Sequence, residues 1–189
     1  ISQLVDDSRE MSHRGLYFAR KGFNFDGHSF IKDAIKNGAV AIVHSDEVTA
    51  KVEGIEYILV PDVVAALHHA CNIFYDYPSN KMKIHGITGT NGKSTTMKTL
   101  YNVLRRFGVN AAYVGTVSIE YGDKILPPGL STPDILPLYK LYDDMVKHGV
   151  TEVCQEVSSQ GLYLGRVDGI KFIEPSYTNL SQEHLDFHK

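Results

Sequence analysis

Several features that would mark a secreted, membrane-spanning or nucleic-acid-binding chain are missing here. Cysteine is scarce: Cys71 and Cys154 are the only two, far apart and each inside an apolar stretch, so buried thiols are a simpler expectation than a disulfide framework. No apolar run reaches about 18 residues and no signal-peptide pattern is present, which leads to the expectation of a soluble, cytoplasmic chain without membrane insertion. A net charge of −3 with nine histidines gives no basic stripe, so no nucleic-acid partner is expected. Internal repeats, low-complexity tracts and heptads are absent as well. Ser158-Ser159 has no nucleophile-elbow pattern around it, which argues against a serine hydrolase and leaves these hydroxyls as ligand contacts or helix caps.

What is present suits a globular chain. The 189 residues, 43% of them hydrophobic, are enough for one large domain or two small ones. LYFA reads as a short buried strand, Ser29 as the cap of a helix carrying Phe30, Ile31, Ala34 and Ile35, and Asn37-Gly38 as its end. Strands at 39–43 and 55–60 follow, then a helix capped by Asp62. Tyr77-Pro78-Ser79-Asn80 reads as a link, placing domains at 1–79 and 80–189. Beyond it strands at 83–88, 111–114, 152–157 and about 176–180 alternate with helices at 94–107 and 135–148. The expected fold class is therefore α/β, with a mostly parallel sheet in the second domain and helices on both faces.

The stretch KIHGITGTNGKSTT, residues 83–96, has the form of a phosphate cradle. A strand leads into a glycine loop, and Lys93, Ser94 and Thr95 open a helix, so backbone N–H groups and the helix N-terminus can converge on an anion. Gly89, Thr90, Asn91 and Gly92 complete the candidate nucleotide-binding set, with Lys93 toward the terminal phosphates and the Ser94 hydroxyl toward Mg²⁺. Five residues separate Gly86 from Gly92 where the general P-loop pattern has four, so the loop is a variant.

In doubly wound sheets ligands gather at the carboxyl ends of strands, which directs Thr116, Glu156, Ser158, Ser159, Asn179, His184 and Asp186 toward a nucleotide. Glu156 ends an apolar strand, where a carboxylate needs a cation or hydrogen bonds, and Mg²⁺ is the natural partner. His184 and His188 are spaced i, i+4, a weak metal signal beside the alternative of surface or capping histidines. Thr132 and Pro133 read as a helix start, Thr132 at or next to the cap, with Ser131 and Thr132 also usable for binding. Arg166 is placed to clamp a carboxylate or phosphate, or to make a surface ion pair. Asp7, Ser8 and Arg9 read as a solvated turn or a hydrogen-bonding patch.

Taken in order, Asp7-Ser8-Arg9, GLYFARKGFNFDGHSFIKDAIKNGAVAIV, GITGTNGKSTT, STPD, EVSSQGLYLGRVDG and TNLSQEHLDFH resemble the Mur ligases over essentially the whole chain. The variant loop spacing is the form of that family. The resemblance implies a three-domain ATP-dependent ligase of which these residues hold the UDP-sugar domain and the first part of the ATPase domain. The C-terminal amino-acid-binding domain is not among them. The implied reaction joins a diamino acid to UDP-MurNAc-L-Ala-D-Glu through an acyl phosphate, with ATP and Mg²⁺. It assigns catalytic roles to Lys93, Glu156 and His184, with Ser94 and Glu156 on one Mg²⁺ and His184 on a second. Ser8 and His28 are implied as uridine-side contacts, and Ser131, Thr132, Ser158 and Arg166 as contacts to the muramoyl peptide. Gln160 stands where many relatives carry His, and the family's carbamylated lysine lies past the HLDFH motif. Beginning at Ile1 and stopping at Lys189 inside a motif, the chain is expected to be a fragment with no ligase activity alone. The alternatives are a folylpolyglutamate synthase, which lacks a UDP-sugar domain of this type, and a non-catalytic ATP-binding module.

Overall fold

The computed structural model describes residues 1–22, 25–127 and 129–182. Residues 1–73 and 74–189 form two compact units. Among the described residues no helix is long and apolar enough to cross a membrane.

The first unit is a four-stranded, all-parallel sheet of β1 (Gln3–Val5), β2 (Gly15–Phe18), β3 (Ala39–His44) and β4 (Glu56–Leu59), in that order. Strand β1 is too short to show an alternating pattern, and it falls in a segment whose polar residues dominate the reading. The expected helix cap at Ser29 moves to Asp26, whose carboxylate accepts from the His28 N–H at 2.9 Å and opens a 3₁₀ turn, Gly27–Phe30. Helix α1 (Ile31–Lys36) continues from that turn, burying Ile31 and Ala34 and leaving Phe30 exposed. It ends as expected at Asn37, with Gly38 at φ 113°, a left-handed value that a side chain would strain. Helix α2 (Val63–Phe74) starts where Asp62 accepts from the Val64 and Ala65 N–H groups at 2.8 and 3.0 Å. It buries Val63, Leu67, His68 and Cys71, one stripe of the helix.

The second unit is built on β5 (Lys83–Thr88), α3 (Lys93–Arg106), β6 (Ala111–Val114), β7 (Ile119–Tyr121), β8 (Lys124–Leu126), α4 (Ile135–Lys147), β9 (Glu152–Glu156), α5 (Ser159–Tyr163) and β10 (Phe172–Tyr177). Its sheet runs β10-β5-β9-β6-β7-β8, parallel through the first four strands, with an antiparallel hairpin on the end. The hairpin lies where the sequence suggests only a loop, because three-residue strands carry almost no periodicity. The last strand starts four residues before its expected position. Pro175 obscures it, and this proline is tolerated because, among the described residues, β10 is an edge strand bonded only to β5.

Helix α3 covers one face of the sheet, where Ile87, Met97, Tyr101, Ala111, Tyr113 and Cys154 form a single cluster. The other face carries Gln155, whose side chain accepts from the Tyr142 hydroxyl of α4. Alternation along β9 thus sends Cys154 and Glu156 toward α3 and Gln155 toward α4. Both cysteines are buried and neither is in a disulfide.

Burial, helped by the nearby Glu152 charge, pushes the Cys154 thiol up to about 12. At pH 8 its thiolate fraction is on the order of 10⁻⁴, and the thiolate is the reacting species. Cys154 should therefore resist iodoacetamide in the folded chain and react in urea, as peptide mass mapping would show. Rapid labelling of the native chain would contradict this packing.

Candidate functional site

The glycine loop joins β5 to α3, and its shape follows from two residues. Gly89 and Gly92 hold φ of 130° and 86°, a region that side chains rarely adopt. At Gly89 a Cβ would also collide with the Thr178 hydroxyl and the backbone of Asn179. Residues just after β10 brace the loop. Asn179 takes the Thr90 N–H on its carbonyl at 2.9 Å and the Asn91 N–H on its side chain at 3.0 Å. The Thr178 hydroxyl and the Asn179 amide donate to the Asn91 carbonyl at 2.7 and 3.1 Å. The Thr90 and Asn91 N–H groups are thereby engaged within the chain, and the loop leads directly into the first turn of α3. There helix geometry leaves N–H groups without intrahelical carbonyls. Lys93 folds back over the loop, its Nζ donating to the carbonyls of Gly89 at 2.5 Å and Thr90 at 3.0 Å.

Ser94, one residue into α3, points at the end of β9. Its hydroxyl donates to Glu156 Oε2 at 2.9 Å. Glu156 is fully buried, and its two oxygens are met by donors alone. Oε1 accepts from the Tyr113 hydroxyl at 2.5 Å and the Thr116 N–H at 3.3 Å, and Oε2 also accepts from the Thr116 hydroxyl at 3.1 Å. A carboxylate is an acceptor at every lone pair, so this set of donors suits it. Burial, then the Glu156 hydrogen bond and charge, pushes the Tyr113 phenol far above its ordinary value, so it stays a donor. Gly115 closes the turn beside the pair, where a Cβ would meet both Glu156 Oε1 and the Tyr113 hydroxyl.

Thr132, expected at or next to the cap of a helix, does not cap it. Asp134 caps α4 by accepting from the Ile135 N–H at 2.8 Å, with Pro133 just outside and Pro137 in the first turn. Thr132 is fully buried, and its hydroxyl accepts from the Ser158 N–H at 2.8 Å and donates to the Glu156 carbonyl at 3.3 Å. It works as a brace between the start of α4 and the end of β9. Ser158 caps α5, accepting from the Gly161 N–H at 3.1 Å. The Arg166 guanidinium donates to the Thr132 carbonyl at 3.0 Å and lies 4.0 Å from Asp134. Ser131 is half-buried beside them, so Ser131, Thr132, Ser158 and Arg166 do form one neighbourhood. His184 lies outside the described residues.

In the first unit Asp7 and Arg9 make a bidentate pair, and the hydrogen bond from Arg9 holds the Asp7 carboxyl below its ordinary value. Ser8 is buried between them, its carbonyl accepting from the Asn37 amide at 2.9 Å. His28 spends both ring nitrogens inside the chain. Nδ1 pairs with Asp26 at 2.6 Å, while Nε2 accepts the N–H groups of Ser45 at 3.1 Å and Asp46 at 3.2 Å. Asp26, His28 and Asp46 are close enough together to suggest a cation site. These hydrogen bonds and the Lys21–Asp46 ion pair at 2.8 Å explain the cluster without one.

Sequence reading placed Glu156 and Ser94 together but did not reach the roles of Tyr113, Thr178 and Gly115. Tyr113 reads only as a core aromatic. The signal available for Gly115 was its place just past a strand, next to Thr116.

Residues 87–189 match the Mur ligase middle domain, and residues 1–75 match the Mur ligase family catalytic domain. The chain is 41% identical over its whole length to UDP-N-acetylmuramoyl-L-alanyl-D-glutamate–2,6-diaminopimelate ligase of Geobacter sulfurreducens, covering 37% of that protein. It is 42% identical to the first such ligase of Clostridium acetobutylicum, covering 39%. The chain thus spans less than two fifths of the length of these relatives. A solved structure of a ligase of the same name superposes over the whole chain with a TM-score of 0.82 at 26% identity, 38% of that chain being covered. The MurF ligase of Thermotoga maritima, solved in complex with ADP, gives a TM-score of 0.61 at 25% identity, over 98% of this chain and 39% of that one.

Replacing Thr132 by valine keeps its volume but leaves the Ser158 N–H without its acceptor. A loss of about 1–3 kcal/mol in urea unfolding is expected. An unchanged unfolding midpoint would show that the brace carries no stability.

Proposed function

The chain belongs to the Mur ligase family, and from that premise we propose that it forms the UDP-sugar-binding and nucleotide-binding part of an ATP-dependent amide ligase of peptidoglycan precursor synthesis. The substrate is UDP-MurNAc-L-Ala-D-Glu and the added group a diamino acid, in line with the printed names of the relatives. The observation that carries this reading is the hydrogen bond from Ser94 Oγ to the buried Glu156 carboxylate at 2.9 Å, which joins the glycine loop to the carboxyl end of β9.

The donor set there fits Mg²⁺. Two hydroxyls, of Ser94 and Thr116, and a carboxylate meet at one point, all hard oxygen ligands. Ser94 and Glu156 are the residues that would hold the ion, and His184 is assigned to a second one by the family pattern. Bound there, Mg²⁺ would neutralise phosphate charge. The first turn of α3 offers N–H groups to the nucleotide phosphates, and Lys93 brings a mobile positive charge to the group in transfer. Its present partners are two loop carbonyls that an anion could readily replace.

In the proposed reaction the D-Glu carboxylate oxygen attacks the terminal phosphorus of ATP, and ADP leaves with the bond electrons. The amine of the diamino acid then attacks the acyl phosphate, forming the amide and releasing phosphate and a proton. No covalent nucleophile of the protein is required. Binding energy is spent on charge neutralisation and on orientation of the two reactants. Arg166, Ser131 and Ser158 are the candidates to orient the muramoyl peptide, with Thr132 holding Ser158 in place. Ser8 and His28 are assigned to the uridine side. Because both His28 nitrogens are engaged, its contact would come from the ring face.

Calorimetry of the 189-residue chain with UDP-MurNAc-L-Ala-D-Glu tests this reading, with ADP titrated separately. Binding of both ligands is expected. Binding of ADP alone to a folded sample would favour a nucleotide-binding module and overturn the ligase assignment.

A further inference from the structure

The hydrogen bonds around Glu156 divide into two sets. Oε2 faces the Ser94 and Thr116 hydroxyls, which lie on the loop side of the carboxylate. Oε1 is held from within the sheet by the Tyr113 hydroxyl, at 2.5 Å, and by a longer bond from the Thr116 N–H. We propose that Tyr113 is a positioning residue: it fixes Oε1 from beneath the site so that Oε2 is presented to the nucleotide-bound metal next to Ser94. The proposal rests on the reading of Ser94 and Glu156 as the metal-holding pair.

The strand register makes this contact possible. Tyr113 of β6 lies opposite Cys154 of β9, on the same face as Glu156 two residues further on. A side chain as long as tyrosine, leaning along the strand, reaches the carboxylate at the strand end. The ring cannot swing away, since Tyr113 is fully buried in the cluster beneath α3. Lys98 Nζ sits 4.7 Å from the ring centroid and is itself fixed by its ion pair with Glu120. Tyr101 packs against the ring at 6.1 Å between centroids. Gly115 completes the arrangement, because any Cβ there would intrude on the hydroxyl and on Oε1 together. Packing alone would be met by phenylalanine. The hydroxyl adds polar contacts, the bond to Glu156 first among them, with the Val117 backbone and the Ser94 side chain also in reach. Partners of this kind, standing behind a metal ligand, usually change metal affinity by about 10- to 100-fold when removed.

The test is Tyr113→Phe in the 189-residue chain, with ADP affinity measured by calorimetry with and without MgCl₂. The metal-free ADP affinity should be unchanged, while the strengthening by Mg²⁺ should fall about tenfold. Tyr101→Phe, which removes a hydroxyl that does not touch Glu156, should leave both values intact. An undiminished Mg²⁺ effect in Tyr113→Phe, or an equal loss in Tyr101→Phe, would overturn the proposal. Should the unsubstituted chain bind ADP with no Mg²⁺ effect, the reading of Ser94 and Glu156 fails first, and this proposal with it. A second readout needs no substitution: in chain labelled with ¹³C at the tyrosine phenol carbon, adding MgCl₂ to the ADP-saturated sample should shift the Tyr113 resonance. Tyr142, whose hydroxyl pairs with Gln155, should stay still. A stationary Tyr113 resonance contradicts the proposal.

Discussion

A carboxylate with no solvent exposure, Glu156, is the constraint around which the second unit is arranged. Burying such a group is costly unless its lone pairs are met, and removing one donor from a buried charge costs more than the bond itself contributes. Three elements meet that requirement together. Helix α3 supplies Ser94, strand β6 supplies Tyr113, and the turn after β6 supplies Thr116. The sheet order follows the same need, since placing β9 between β5 and β6 puts the carboxylate between the glycine loop and the Thr116 turn.

A second layer of contacts holds that arrangement from outside. Thr132 ties the Glu156 carbonyl to Ser158, Arg166 ties the Thr132 carbonyl to α5 and the turn after it, and Asn179 ties the loop to the end of β10. Several residues that a motif would assign to ligand binding are thus engaged in holding others still. Preorganisation of this kind matters for a reaction that depends on charge placement rather than on a protein nucleophile. In the proposed site, the groups offered to a nucleotide are the first turn of α3, Lys93 and the Glu156–Ser94 pair.

Much of this was legible from sequence, for identifiable reasons. The glycine loop announces itself by composition, and Glu156 by being a charge at the end of an apolar run, so the contact between loop and carboxylate was foreseeable. The parallel sheet followed from the alternation of strands and helices. The hairpin of β7 and β8 was invisible because three residues carry no period, and β10 was displaced because Pro175 hides an edge strand. Two caps differ from expectation, at Ser29 and Thr132, each time because a nearby aspartate takes the role. Tyr113 could not be found at all, since its role depends on strand register, and register is set by pairing between distant segments.

The central claim is that the buried Glu156 carboxylate is the metal-holding end of a nucleotide site. Glu156→Gln keeps the shape and removes the charge. ADP affinity of this variant, measured in chelator and again in MgCl₂, tests the claim most directly. The account predicts that the chelator value matches the unsubstituted chain while the added strengthening by Mg²⁺ disappears. An undiminished Mg²⁺ effect in a folded Glu156→Gln chain would contradict it.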